Sequence, residues 1–353
     1  MSSFIDKKFA SLEEYVPGEQ PRGKKVIKLN TNEAPYPVGP KTAAAVNREL
    51  ALGLRRYNDP ESAALKKKLA EVYGVGPENV FVSNGSDETL NLAFLAFSGD
   101  GVCFPDITYG FYQVFAELYQ KDAVEIPLKE DLSIDPADYE NAGRMVVLAN
   151  PNAPTGQELS VEQIERILQS NPEHVVLIDE AYADFGTVTL VPLIKKYDNL
   201  LVVRTYSKSR AVAGARLGYA FADPGIIRDL EKLKFSTNPY NVNSMTAAAG
   251  IAALTENDYY EREVENVKKI REWETEQLRA LGFHVLPSRA NFLFAEHPKI
   301  GGAELNRLLR ERGILVRHFD NPRIIHYNRI TIGTEQEMNA LNEALKDILR
   351  TAE

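Results

Sequence analysis

The sequence predicts an α/β fold with a mainly parallel central sheet and flanking helices, followed by a smaller α+β domain. Three observations predict it. Short apolar, β-branched runs alternate with helical patterns from about residue 41 to 255. Several of these runs are continuously apolar, as strands covered on both faces must be. Beyond about residue 255 the strict alternation ends, and a long charged helical stretch opens a tail of mixed strands and helices.

Residues 1–40 are rich in proline, glycine and charge and read as an extended arm that joins the smaller domain. Residues 41–255 form the large domain. Its strand candidates are Val80-Phe81-Val82, Val102-Cys103-Phe104, Val124-Glu125-Ile126, Met145-Val146-Val147-Leu148, Val175-Val176-Leu177-Ile178, Leu200-Leu201-Val202-Val203 and Gly218-Tyr219-Ala220-Phe221. Ser160-Val161-Glu162-Gln163 reads as a capping box, with Val161, Ile164, Ile167 and Leu168 following at helical spacing. Residues 256–353 form the smaller domain. A charged helix is predicted over 257–281, closed by Gly282. Strands near 283–286, 291–295, 314–317 and 329–332 follow, with helices near 303–312 and from 335 onward.

The 353 residues are 44% hydrophobic and 26% charged, ordinary for a globular protein and unlike a disordered one. The net charge of −9 opposes binding to nucleic acid or an anionic membrane, though a local arginine cluster can still take a small anion. The lone cysteine, Cys103, allows no intrachain disulfide, and the first eight residues carry no apolar signal region, so the expected location is the cytoplasm. No apolar run reaches membrane-spanning length. The five histidines show no metal-ligand spacing, and no metal is expected.

Several segments at strand ends carry possible chemistry, and in open α/β sheets that edge binds ligands. Lys208 follows the buried run ending Thr205-Tyr206-Ser207 and would be a nucleophile if desolvated; the alternative is a loop lysine with its head in water. Arg216, between Gly214 and Gly218, supplies a fixed cation for a phosphate. Asp179 emerges from an apolar strand with Tyr182 one helical turn on; paired to a pyridinium it would keep that ring electron-withdrawing, and otherwise it opens a helix. Ser83-Asn84-Gly85-Ser86-Asp87-Glu88-Thr89 is a Gly/Ser turn opening a helix, suited to a phosphate or simply to capping. Asn150-Pro151-Asn152-Ala153-Pro154-Thr155-Gly156 is either an irregular turn or a source of an amide donor. Tyr109 could stack on a flat ring or pack in the core.

The order and spacing of these segments together resemble the fold-type I pyridoxal-phosphate aminotransferases. Tyr15-Val16-Pro17-Gly18-Glu19-Gln20-Pro21, Leu29-Asn30-Thr31-Asn32-Glu33-Ala34-Pro35-Tyr36-Pro37, Arg56-Tyr57 and Arg329-Ile330-Thr331-Ile332-Gly333-Thr334 narrow the resemblance to the histidinol-phosphate aminotransferase family. The resemblance covers nearly the whole chain. It implies that pyridoxal 5'-phosphate is carried as a Schiff base on Lys208, which later moves a proton. Asp179 would pair with the ring nitrogen, Tyr182 would bind the 3'-oxygen and Tyr109 would stack on the ring. Ser86, Asp87, Thr205, Ser207 and Arg216 would hold the phosphate. In a homodimer, Tyr57 would reach the neighbouring subunit's cofactor. Tyr15, Asn32, Arg317 and Arg329 would bind substrate.

One position departs from the pattern. The family usually has asparagine before Pro-Thr-Gly, where this chain has Ala153, so either Asn152 substitutes or Tyr182 acts alone on the 3'-oxygen. The implied reaction moves an amino group between L-histidinol phosphate and 2-oxoglutarate in L-histidine biosynthesis, giving imidazole-acetol phosphate and L-glutamate. The alternatives are an aromatic amino acid aminotransferase, a threonine-phosphate decarboxylase, or a non-catalytic pyridoxal-phosphate-binding regulator.

Overall fold

The computed structural model describes residues 9, 12–13, 15–21, 26–186 and 188–351. The expected arm therefore lies partly outside the described residues, at 1–8, 10–11, 14 and 22–25, and includes the segment in which no signal region is expected.

The seven expected strands assemble into one sheet. Its order is Val80–Ser83, Gly218–Ala222, Leu200–Thr205, Val176–Asp179, Met145–Ala149, Val102–Pro105 and Ala123–Ile126. Only Gly218–Ala222 runs against the others; the five strands from Leu200–Thr205 outward pair in parallel. Alternate side chains of each central strand enter opposite layers. Val146, Leu148, Val176 and Ile178 pack in one core, and Met145, Val147, Ala149 and Leu177 in the other. This two-sided burial is why those runs are continuously apolar. Ala123–Ile126 forms the open edge and leaves Val124 exposed.

Ser160 caps the helix Val161–Ser170 as expected, its hydroxyl accepting from the Gln163 amide while the Gln163 side chain accepts from the Ser160 amide.

Beyond the long helix Asn257–Ala280, which buries Tyr260, Val264, Val267, Arg271, Glu274 and Leu278 along one face, lies a second sheet. Its order is Arg317–His318, Asn328–Thr331, Phe292–Glu296 and His284–Val285, antiparallel throughout. Gly282, at φ +92°, ends the long helix, its amide donating to the Arg279 carbonyl. The single strand expected over 314–317 is two. Ile314–Leu315 pairs in parallel with Ile27–Lys28, and Arg317–His318 turns into the four-stranded sheet. One short apolar run serves two sheets, which periodicity alone does not reveal. No helix among the described residues is long and apolar enough to cross a membrane.

Candidate active site

From Val102–Pro105 the chain winds outward to Ala123–Ile126 and then returns to the other side at Met145–Ala149. Connections leaving the carboxyl ends of those neighbouring strands diverge, and a crevice forms where they part. A cavity of about 340 Å³ lies there, lined by Asp179, Tyr182, Lys208, Tyr109 and Arg216 among others.

One end of the cavity is built for an anion. Ser86 and Asp87 begin the helix Ser86–Phe97, and Gly85 before them provides no side-chain cap. First-turn amides and the positive end of the helix dipole therefore face the cavity. Two glycines permit this construction. A Cβ at Gly218 would stand 2.4 Å from both the Gly85 carbonyl carbon and the Ser86 nitrogen, so only glycine lets the strand pass so close. Gly85, at φ +77°, leaves room for the Arg216 guanidinium. Arg216 reaches Asp87 at 3.1 Å, and the Tyr109 hydroxyl donates to the other Asp87 oxygen at 2.9 Å. Thr205 and Ser207 line the same cavity, their hydroxyls joined at 3.0 Å.

Asp179 ends a fully buried strand. Burial pushes its carboxyl up to about 6, although the Tyr112 hydroxyl and the Ala181 amide each donate to it and pull it down; the nearby negative Asp87 adds to the rise. A carboxylate raised by desolvation gains most from a buried cationic partner. Lys208 lines the same cavity, its ammonium donating to the Thr31 carbonyl at 3.2 Å and lying 5.7 Å from the centre of the Tyr182 ring.

A second cavity of about 320 Å³ adjoins the first and shares Tyr109, Ala153, Tyr182 and Lys208 with it. It adds Tyr15, Arg317 and Arg329. The two arginines are direct cross-strand partners. Arg329 donates to the Asn30 carbonyl at 3.2 Å and Arg317 to the Val16 carbonyl at 3.3 Å, while the buried Arg329 Nε has no partner among the described residues. Burial pulls the Arg329 guanidinium down and pushes the Tyr15 phenol up. Facing like charges with spare donors suit a shared anion.

The sequence model of the family described as aminotransferase class I and II matches residues 24–345. The chain belongs to that family. Histidinol-phosphate aminotransferase of Marinomonas sp. is 49% identical over 353 residues, 99% of this chain and 100% of the relative. That of Brachyspira hyodysenteriae is 45% identical, again over 99% of this chain and 100% of its own length. The crystal structure of histidinol-phosphate aminotransferase from Sinorhizobium meliloti in complex with pyridoxal-5'-phosphate superposes with a TM-score of 0.88 at 25% identity, covering 100% of this chain and 99% of that one.

In this aminotransferase most of the expected site residues converge on the two adjoining cavities, and three stand elsewhere. Asn152 departs from its expected place. Its amide donates to the Ile107 carbonyl and the Thr155 hydroxyl and accepts from the Thr108 hydroxyl, so it ties its own loop to the one that follows Val102–Pro105 and lines neither cavity. Asn32 also lines neither cavity; its side chain joins Thr331 to the Tyr182 hydroxyl instead of facing a substrate. Tyr57 lines neither cavity, being 82% exposed and stacked on Tyr240 with ring centres 4.4 Å apart.

Two contributors were not read from the sequence. Tyr112 holds Asp179 from 67 positions earlier, and its one signal is that it falls a helical turn after Tyr109. The Thr31 carbonyl receives Lys208, a backbone contact without a residue-type signature.

Proposed function

We propose that this chain is a pyridoxal-phosphate-dependent aminotransferase that moves an amino group between L-histidinol phosphate and 2-oxoglutarate, giving imidazole-acetol phosphate and L-glutamate. One observation carries the reading. A single cavity combines a lysine, a desolvated carboxylate and a helix-start anion cradle, and the adjoining cavity adds a pair of arginines free of carboxylate partners among the described residues. The raised Asp179 carboxyl is the mark of fit, because a protonated pyridine would supply the cation that it lacks. Bound there, the cofactor supplies the electron sink for the substrate's α-carbon.

The chain's own residues do the rest. Lys208 holds and moves the proton at the substrate α-carbon, a class of effect worth on the order of 10²–10⁴-fold. Asp179 pairs with the ring nitrogen, and Tyr109 lies against the ring. The Ser86 and Asp87 amides, with Thr205, Ser207 and Arg216, bind the cofactor phosphate. Tyr182 donates to the ring oxygen without help from Asn152. Arg317, Arg329 and Tyr15 bind the substrate phosphate, and Arg329 binds the glutamate carboxylate when that amino donor takes its place. Tyr57, exposed on its own subunit, serves the cofactor phosphate of a partner copy in a homodimer. The setting is the cytoplasm, consistent with a single buried thiol, Cys103.

The test has two arms. Borohydride reduction of the yellow protein should bleach it and leave the label on Lys208. A panel with 2-oxoglutarate should then rank histidinol phosphate far above phenylalanine. A label on any other lysine refutes the site, and preference for phenylalanine refutes the substrate.

A further inference from the structure

The Tyr182 hydroxyl faces a choice that donor and acceptor counting resolves. A phenol has one proton to donate and can accept others. Among the described residues its hydrogen bond is with the Asn32 amide, at 3.0 Å. Ala153, which lines both cavities beside it, has no polar side chain.

The orientation of the Asn32 amide follows from its other neighbours. The Asn32 backbone amide donates to the Thr331 hydroxyl oxygen at 3.0 Å, and the Thr331 hydroxyl donates its own proton to Asn32 Oδ1 at 2.9 Å. The Asn32 carbonyl in turn accepts from the Asn291 amide at 3.1 Å. With Oδ1 occupied as an acceptor, Nδ2 faces Tyr182, and the phenol oxygen accepts. Asn32 is buried and held at φ +55°, a region in which asparagine is among the few tolerated side chains. The ring itself is pinned edge-on against Phe292, with centres 5.1 Å apart.

We infer that Asn32, clamped by Thr331 and Asn291, is a positioning residue that makes the Tyr182 oxygen an acceptor on one side and so commits the phenol proton to the cofactor cavity. This inference rests on the cofactor reading given above. A donor fixed on the ring oxygen lowers the basicity of the bound chromophore, so losing that donor raises the pH at which its visible absorption changes.

The test titrates the visible band of the holoenzyme in the parent and in Asn32→Asp, Asn32→Ala, Tyr182→Phe and Asn32→Asp/Tyr182→Phe. An aspartate at 32 keeps the shape but accepts the phenol proton, withdrawing it from the cavity. The midpoint should rise by about one pH unit in Asn32→Asp, the size expected for one hydrogen bond. It should rise in the same direction in Asn32→Ala. In the double variant the rise should not exceed that of Tyr182→Phe. A structural role alone would lower thermal stability and leave the midpoint in place, which overturns the inference. Shifts that simply add in the double variant overturn it as well. A parent that takes up no colour defeats the cofactor reading and this inference together, whereas a coloured parent with an unmoved midpoint in both Asn32 variants defeats the inference alone.

Discussion

Lys208 and Asp179 leave adjacent parallel strands and meet in one cavity, so their proposed roles can be separated by substitution. Lys208→Ala should keep the circular dichroism spectrum and melting temperature of the parent while turnover falls by on the order of 10²–10⁴-fold or more; near-normal turnover would remove the assigned role. Arg329→Ala should raise KM for both the amino donor and the acceptor, because the same guanidinium is assigned to each half-reaction. Steady-state kinetics varying each substrate decides this, and a change confined to one of them contradicts it. Asp179 was legible as the charged residue that ends a buried apolar strand, and Lys208 as the lysine just beyond the next one; Arg329, inside a short strand, was marked only by the family resemblance. Asn152 was misplaced for the complementary reason. A loop's position can be read from its proline and glycine residues, but the direction in which an amide points depends on neighbours such as Thr108 and Ile107.

At the scale of elements, two contacts invite measurement. Gly218 lets the antiparallel strand pass against the helix start at Ser86, and a methyl group there runs into the Gly85–Ser86 peptide. Gly218→Ala should cost about 1–3 kcal/mol in urea unfolding and weaken cofactor retention; wild-type values for both would show that the approach is looser than the geometry states. The second contact lies between the helices Asn257–Ala280 and Glu335–Thr351. Asn342 Nδ2 donates to Glu274 Oε2 at 2.8 Å, while Glu274 Oε1 and Asn342 Oδ1 have no partner among the described residues. Burial pushes the Glu274 carboxyl up to about 8 from an ordinary 4.5, with the Asn342 hydrogen bond opposing. The folded chain therefore holds a proton that the unfolded chain releases. The resulting stability is complete below about 4.5 and drains away as pH climbs through about 8. Glu274→Gln should flatten that decline in melting temperature between pH 5 and 9, as differential scanning calorimetry can show; an identical slope in the variant would count against a neutral acid. Nothing in the sequence distinguished Glu274 from its many charged neighbours on this helix, because burial of one position depends on which face the helix turns inward.

At the scale of the whole molecule, the central sheet was readable from alternation, whereas the second sheet was not fully so. Its strands are two to five residues long, and one apolar run is shared between separate sheets. Such strands are set by pairing partners distant in sequence, beyond the reach of local pattern. The proposed dimer belongs to this scale. Tyr57 stacks on the exposed Tyr240, and Leu52 and Leu54, a few residues before it in sequence, are exposed as well, apolar side chains that the proposed second copy would cover. Light scattering should give twice 39.4 kDa, and Tyr57→Ala should speed cofactor loss without changing the far-ultraviolet spectrum. A monomer by light scattering would leave Tyr57 without its assigned task.

With Arg317 and Arg329 assigned to the substrate phosphate, as proposed above, their cross-strand meeting has a consequence for selection. Two guanidinium groups brought together on a sheet repel until a counter-ion settles between them. A guest with a dianionic tail turns that mutual repulsion into attraction toward itself, and a guest with a neutral tail leaves the repulsion standing while displacing the solvent that softened it. Discrimination of this kind works by rejecting the wrong visitor as much as by welcoming the right one, and it is written into the hydrogen-bonding register of two short strands before any ligand arrives.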